Sequence, residues 1–228
     1  MIEMIRAVCG KKQGKIQMLM ETASLAFATF FATIAPLDMA AVFAALTSNG
    51  SVKHNRSMAI RATLIATAIL ILFALAGELL LSGLGISLAA LQTAGGILLL
   101  LMGIEMVFAR SSGGTSATKE EEQEAMLKQD ISIFPIATPM IAGPGSMGAA
   151  ILLMANTEGD ITQQIVVISA MLAVLLITGV CLLLSGQISQ LLGITGMQVV
   201  SRIMGVLLSA LAIQFIFDGI KQSGIFGT

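Results

Sequence analysis

Two short stretches hold the residues best placed to do chemistry. The first is Phe134–Gly148, FPIATPMIAGPGSMG, which contains three of the four prolines (Pro135, Pro139, Pro144), with Gly143 and Gly145 flanking the last. Proline has no amide hydrogen and clashes with the preceding turn, so a helix cannot run unbroken through this stretch. The half-helix that restarts at the break would present free amides at Gly145, Ser146 and Met147. Its positive dipole end favours an anion such as a carboxylate. Glycine permits close backbone approach, and the Ser146 hydroxyl can add a contact. The second stretch is Ile34-Ala35-Pro36-Leu37-Asp38-Met39-Ala40-Ala41. A carboxylate two residues past Pro36 can hold a substrate ammonium or a coupling cation, or it can cap the helix that restarts there.

Three further polar residues lie within apolar surroundings. Gln92 shares a face with Gly96 and Gly103, Arg202 is one turn from Gln198, and Gln214 follows in the same run; Arg202 can also snorkel to a helix end. With Asp38 they are the candidates for coupling or gating, and small-residue helix packing explains the glycines equally well. Nothing points to an enzyme. His54 is the only histidine and sits in a polar loop, so no base is available to activate Ser146. No metal site or other cofactor is expected. Cys9 and Cys181 suit neither a disulfide framework nor a metal site.

The elements that must position these residues are membrane spans. The chain is 56% hydrophobic and 11% charged, with mean hydropathy +0.95. A soluble domain carries about 25% charged residues, so a water-facing surface could not be covered. A net charge of −1 argues against nucleic acid as a partner. Six stretches approach the roughly 20 apolar residues that a bilayer core requires. They are Thr22–Leu46, Met58–Leu81, Ile86–Ala109, Ile131–Ala155, Ile161–Ser185 and Ile194–Ile220, with short turns such as Ser82–Gly85, Asn156–Asp160 and Ser185–Gly193 between them. The first is broken at Pro36 and the fourth at Pro139 and Pro144.

Residues 110–130 are Gly/Ser-rich and then acidic, which reads as a solvated linker. The expected organisation is therefore a polar, basic leader (1–17), a first three-helix unit (18–109), the linker (110–130) and a second three-helix unit (131–228). The leader could be taken for the start of a signal peptide. The apolar run after it is too long for a cleaved segment, so it is expected to be retained, and Met18 or Met20 is an equally good start.

The two units repeat. Ala94–Phe108 lies over Ile203–Phe217 with Gly96 on Gly205, Glu105 on Gln214 and Phe108 on Phe217. At nearly the same offset Pro36 falls on Pro144 and Met39 on Met147. An odd number of spans per unit makes the copies inverted, an arrangement used by many secondary transporters. The predicted fold class is an all-α membrane protein of six transmembrane helices in two inverted three-helix repeats. Basic residues in the loops after spans one and three place the linker in the cytoplasm and both termini outside.

The chain resembles the MarC-related family of six-span inner-membrane proteins, which includes small neutral amino acid transporters. The resemblance is densest in FPIATPMIAGPGS (Phe134–Ser146), which is similar to the family's proline-rich signature. It continues through LFALAGE (Leu72–Glu78), AGGILLLLMGIEMVF (Ala94–Phe108) and SRIMGVLLSALAIQFIFDGI (Ser201–Ile220). It implies an inverted-repeat bundle in a bacterial inner membrane and uptake of glycine, alanine and similar amino acids coupled to a proton or sodium gradient. The first break departs from the family pattern DPxGNxP, with Asp38 after the proline instead of before it. On this reading Pro36, Asp38, Gly143, Pro144, Gly145, Ser146 and Met147 contact a small zwitterion. An exporter of another small solute and a non-transporting membrane protein, whose breaks only shape packing, are the competing expectations.

Overall fold

The computed structural model describes the backbone of residues 2–47, 50–108 and 130–224. Among them the chain is entirely helical, with no strand. The segments are α1 (Ile2–Ile34), α2 (Pro36–Leu46), α3 (Val52–Leu84), α4 (Leu88–Phe108), α5 (Ser132–Ile141), α6 (Pro144–Ala155), α7 (Ile161–Leu183) and α8 (Ser185–Gln222). Five spans are long and apolar enough to cross a bilayer: Gly14–Leu46, Val52–Gly77, Leu88–Phe108, Ile161–Leu183 and Gln198–Gln222. The pair α5–α6, bent by 52°, makes a sixth if it crosses as one. The acidic linker, apart from Asp130, lies outside the described residues.

Prolines dictate where helices stop. Pro36 and Pro144 each occupy the first turn of a new helix, where a missing amide costs nothing. Between them and the preceding helix stand Ala35, in the left-handed region (φ 48°), and the extended Gly143. Pro135 and Pro139 fall inside α5, each after a cis peptide bond. The residues before them, Phe134 and Thr138, are extended. Because Pro135 cannot donate to the Ile131 carbonyl, the Ile136 amide does so at 3.3 Å, and Ala142 reaches Ala137 in the same wide pattern. α5 is thus wound more loosely than an α-helix.

Two expected turns are mostly helix. α3 runs to Leu84, and only Gly85 (φ 68°) turns. Ser185–Gly193 is the first part of α8, interrupted at Gly193 alone (φ 60°, ψ 177°). The Gln, Ile and Leu residues there are adequate helix formers, and only the glycine adopts a conformation closed to them.

The core is built around the breaks. Phe30 and Ile34 of α1, Phe43 of α2, Ile136 and Ile141 of α5, Leu152 of α6, Met171 and Leu175 of α7 and Leu208 of α8 are almost fully buried. Leu64, Leu72, Leu75, Leu176, Ile203, Leu207 and Phe217 point outward, an apolar exterior suited to lipid. α1 packs on α7, α3 on α5 and α6, α2 on α7 and α8, and α4 on α6. The tightest pairing is α4 antiparallel to α8. A Cβ added at Gly103 would stand 2.8 Å from the Gly205 carbonyl oxygen, and one at Gly205 would stand 2.8 Å from that of Gly103. Gly96 lies equally close to the Ala212 carbonyl. Backbones in such contact gain dispersion energy that larger side chains would forbid.

Polar caps fix the helix starts. Asp160 Oδ1 accepts the Thr162 amide at 2.8 Å, and Ser51 Oγ accepts that of His54 at 3.3 Å. At the head of α5, Asp130 Oδ1 accepts both the Ser132 hydroxyl (2.6 Å) and amide (3.0 Å), while Oδ2 meets Arg61 of α3 at 3.3 Å. These partners, Ser132 first, hold the Asp130 carboxyl below the usual carboxylate range.

Two outcomes follow from this architecture. Gly205→Val should destabilise the protein by about 2 kcal/mol or more in detergent unfolding, through overpacking. Gly148→Ala, which meets nothing within 4 Å, should be neutral or slightly stabilising. For Asp130 the folded pKa is the lower one, so its stabilisation is present above the ordinary carboxylate pKa and lost as pH falls through the folded value. The thermal midpoint of Asp130→Asn should lie below wild type at neutral pH and converge with it as pH falls below the ordinary carboxylate range.

Candidate functional site

The two breaks are built alike. In each, Pro at the first helical position leaves the next two amides without an intrahelical partner, and the first bonded amide belongs to a methionine. Met39 donates to the Ala35 carbonyl at 3.0 Å and Met147 to the Gly143 carbonyl at 2.9 Å. Among the described residues, no acceptor meets the amides of Leu37 and Asp38 in α2 or of Gly145 and Ser146 in α6. Helix N-termini left open in this way attract negative charge.

At the second break, the Ser146 hydroxyl is engaged within the backbone. It accepts the Gly143 amide at 3.0 Å and directs its proton toward the carbonyls of Ile141 (2.7 Å) and Gly143 (3.1 Å). This places it as a staple across the break, and the free groups left at the break are amides. Gly143 must be a glycine because a Cβ would strike the Pro139 carbonyl oxygen, and one on Gly145 would strike Met102 Sδ. A void of about 10 Å³ adjoins Gly143–Ser146, closed by Thr33 of α1, Met102 of α4 and Pro139–Met140 of α5. It has room for about one water. The Thr33 hydroxyl points back to the Thr29 carbonyl at 2.9 Å.

At the first break a cavity of about 130 Å³ is lined by Phe31, Ala35, Pro36, Leu37 and Asp38, with Val200, Ser201 and Met204 of α8 opposite. Asp38 is half-buried, and its carboxylate faces the Ser201 hydroxyl. At the third position of α2 the carboxylate also complements the helix dipole. Pro36 is buried at the base of the cavity.

The remaining candidates are dispersed. Gln92 is buried on α4, next to Gly95 and Gly96 at the α6 and α8 contacts. Met147 is half-buried one residue beyond the free amides. Arg202 is on the exposed side of α8, adjacent to Ser201. Gln214, also exposed, donates to Asp218 Oδ1 one turn on, at 3.0 Å. Neither Arg202 nor Gln214 lines the two break cavities.

Residues that sequence reasoning passed over are Thr33, Met102, Ser201 and Met204. Ser201 had a signal: the register that lays Gly96 on Gly205 also lays Gln92 on Ser201. Thr33 and Met102 carried none, because each reaches the break only through tertiary packing. Among the described residues, no cluster of metal-ligating side chains occurs.

Comparison with known proteins places this architecture in a family. No solved structure matches the chain. A UPF0056 membrane protein of Methanocaldococcus jannaschii is 38% identical over 197 residues, covering 86% of this chain and 95% of its own length. One from Archaeoglobus fulgidus is 33% identical over 198 residues, with coverage of 86% and 91%. The UPF0056 membrane protein YvbG of Bacillus subtilis is 31% identical over 195 residues, with coverage of 86% and 92%. The description "MarC family integral membrane protein" matches residues 20–223, from within α1 almost to the last described residue, and the chain belongs to the MarC family of multi-pass integral membrane proteins.

Proposed function

We propose that the protein is a secondary transporter of small neutral amino acids, driven by a proton or sodium gradient and working by alternating access. The observation that carries this reading is the pair of equivalent breaks, each opening two amides beside a cavity inside the bundle. Irregular backbone at membrane depth persists only where protein or a polar cavity lines it, and such breaks mark binding sites in carriers. A carboxylate held by the Gly145 and Ser146 amides, with an ammonium or coupling cation near Asp38, divides a zwitterion between the breaks.

An inverted-repeat arrangement supports the same reading. Exchanging the halves turns the α1–α7 contact into α5–α3, α2–α7 into α6–α3 and α2–α8 into α6–α4, all of which occur. The register that lays Gly96 on Gly205 converts the Gly103–Gly205 contact into Gly96–Ala212. It also converts Gly96–Ile216 into Val107–Gly205. All four contacts are present. Phe31, Ala35, Pro36, Leu37 and Asp38 of the first cavity correspond in order to Pro139, Gly143, Pro144, Gly145 and Ser146 of the second. On this proposal antiparallel α4 and α8 are related by a two-fold axis in the membrane plane.

The void at α6 is too small for an amino acid, so substrate entry on this reading requires α1 and α6 to part. The competing reading, a protein whose breaks only shape packing, has no specific observation in its favour. The membrane is a bacterial inner membrane on this proposal, with the linker cytoplasmic and both termini outside.

The test is radiolabelled glycine or alanine uptake into proteoliposomes with imposed proton and sodium gradients. Accumulation with one of the two gradients is expected, and Asp38→Asn should abolish the gradient dependence while leaving exchange measurable. Absence of counterflow for every small neutral amino acid would sink the substrate assignment. Ser146→Ala should cost about 1–3 kcal/mol of stability, because it leaves the Gly143 amide and Ile141 carbonyl without partners in a buried site.

A further inference from the structure

A larger cavity, about 630 Å³, lies away from both breaks, where the end of α2 and start of α3 meet the junction of α7 and α8. Its level in the membrane follows from its lining. Phe43 is in the last turn of the first apolar span, Val52 is the first residue of the second, and Leu182 and Leu183 end the α7 span. The cavity therefore sits where hydrocarbon gives way to head groups.

Its chemistry is divided in the same way. Phe43, Val52 and Leu182–Leu184 supply its apolar lining, and Asn55, Arg56, Ser185, Gln187 and Gln190 its polar and charged lining, with Asn55 Oδ1 buried and without a partner among the described residues. Ser185 opens α8, and among the described residues no acceptor meets the amides of Ser185, Gly186 or Gln187; the first bonded amide is Ile188, to Leu184 at 2.9 Å. Ser185 is 7% exposed, faces this cavity, and its hydroxyl has no hydrogen-bond partner among the described residues. Arg56 is exposed and makes no ion pair among the described residues. No carboxylate lines the cavity among the described residues. An unpartnered hydroxyl on a buried residue, open amides at a helix start and an unneutralised guanidinium all favour one ligand chemistry, a phosphate group. The apolar wall beside them suits an acyl chain.

We infer that this cavity is a binding site for an anionic phospholipid, its phosphate held by Arg56, Ser185 and the first amides of α8 and its chain laid along Phe43 and Leu182. The site is separate from the two breaks and stands whether or not the protein transports amino acids. Such a lipid would bridge the two halves at one membrane face, joining α2–α3 to α7–α8.

Native mass spectrometry of the full-length protein in mild detergent tests this, with phosphatidylglycerol, phosphatidylcholine of the same chains, and inorganic phosphate as separate probes. One phosphatidylglycerol should be retained roughly tenfold more tightly than phosphatidylcholine, and Arg56→Gln should reduce that retention roughly tenfold, the effect of one charge-assisted hydrogen bond. Ser185→Ala should weaken it in the same direction, while Lys53→Gln, next to the site but outside its lining, should leave it unchanged. Equal retention of the two lipids, no effect of Arg56→Gln, or an equal loss with Lys53→Gln would overturn the site. Displacement of phosphatidylglycerol by inorganic phosphate at matching affinity would overturn the lipid assignment in favour of a free phosphate ion.

Discussion

The structure depends on where a chain with no water around it puts its backbone hydrogen bonds. An unpaired amide or carbonyl in hydrocarbon costs several kcal/mol, and each proline removes one donor from the supply. Three of the four prolines are handled in two ways, and the gap between α5 and α6 in a third. Pro36 and Pro144 occupy first turns, where no donor is required. The deficit at Pro135 is met by widening α5, so that Ile136 supplies the Ile131 carbonyl. The gap between α5 and α6 is met by the Ser146 hydroxyl, which accepts one orphan amide and donates to an orphan carbonyl. After these repairs, the amides of Leu37, Asp38, Gly145 and Ser146 remain without protein acceptors among the described residues. The candidate site is what this accounting leaves over.

The same accounting explains which features could be read in the sequence. Apolar length and proline position are local properties, so the six apolar stretches and the two breaks were legible. The register proposed between the halves rests on the same local signal, since Pro36 and Pro144 each begin a helix. The cost of a Cβ at Gly96, Gly103 and Gly205 is set by the facing helix, yet their spacing on one face already pointed to close packing. The role of Ser146 was not legible. A serine after a proline–glycine break can face a ligand or close the backbone, and only the position of the Ile141 carbonyl separates the two. Likewise, polar and glycine residues in Ser185–Gly193 suggested a turn, but one glycine with positive φ suffices and the rest stays helical. Thr33 and Met102 close the α6 void through contacts that no local pattern encodes.

The two breaks differ in charge at one position. Asp38 and Ser146 occupy corresponding places, both third in a restarted helix with a free amide. The serine is neutral and keeps its oxygen for the backbone, so the positive end of α6 stays uncompensated. The carboxylate sits on the positive end of α2, cancels it and faces the Ser201 hydroxyl. Two matching breaks thus acquire opposite electrostatic character through one residue. On the transport proposal, this difference is what suits the pair to a ligand with a charge of each sign.

On the proposed carrier reading, alternating access requires something to stay fixed while the rest moves. α4 and α8 touch through their backbones at Gly96, Gly103 and Gly205, with carbonyl oxygens 2.8 Å from where a Cβ would be. Surfaces this close lose their dispersion energy with small displacements and cannot slide without clashing. The broken helices meet their neighbours largely through buried apolar side chains, such as Phe30 and Phe43. On that proposal the movement is one of α1–α2 and α5–α6 against an α4–α8 axis. It opens the space between Thr33 and Gly145, since those residues lie on the two broken helices and not on the axis.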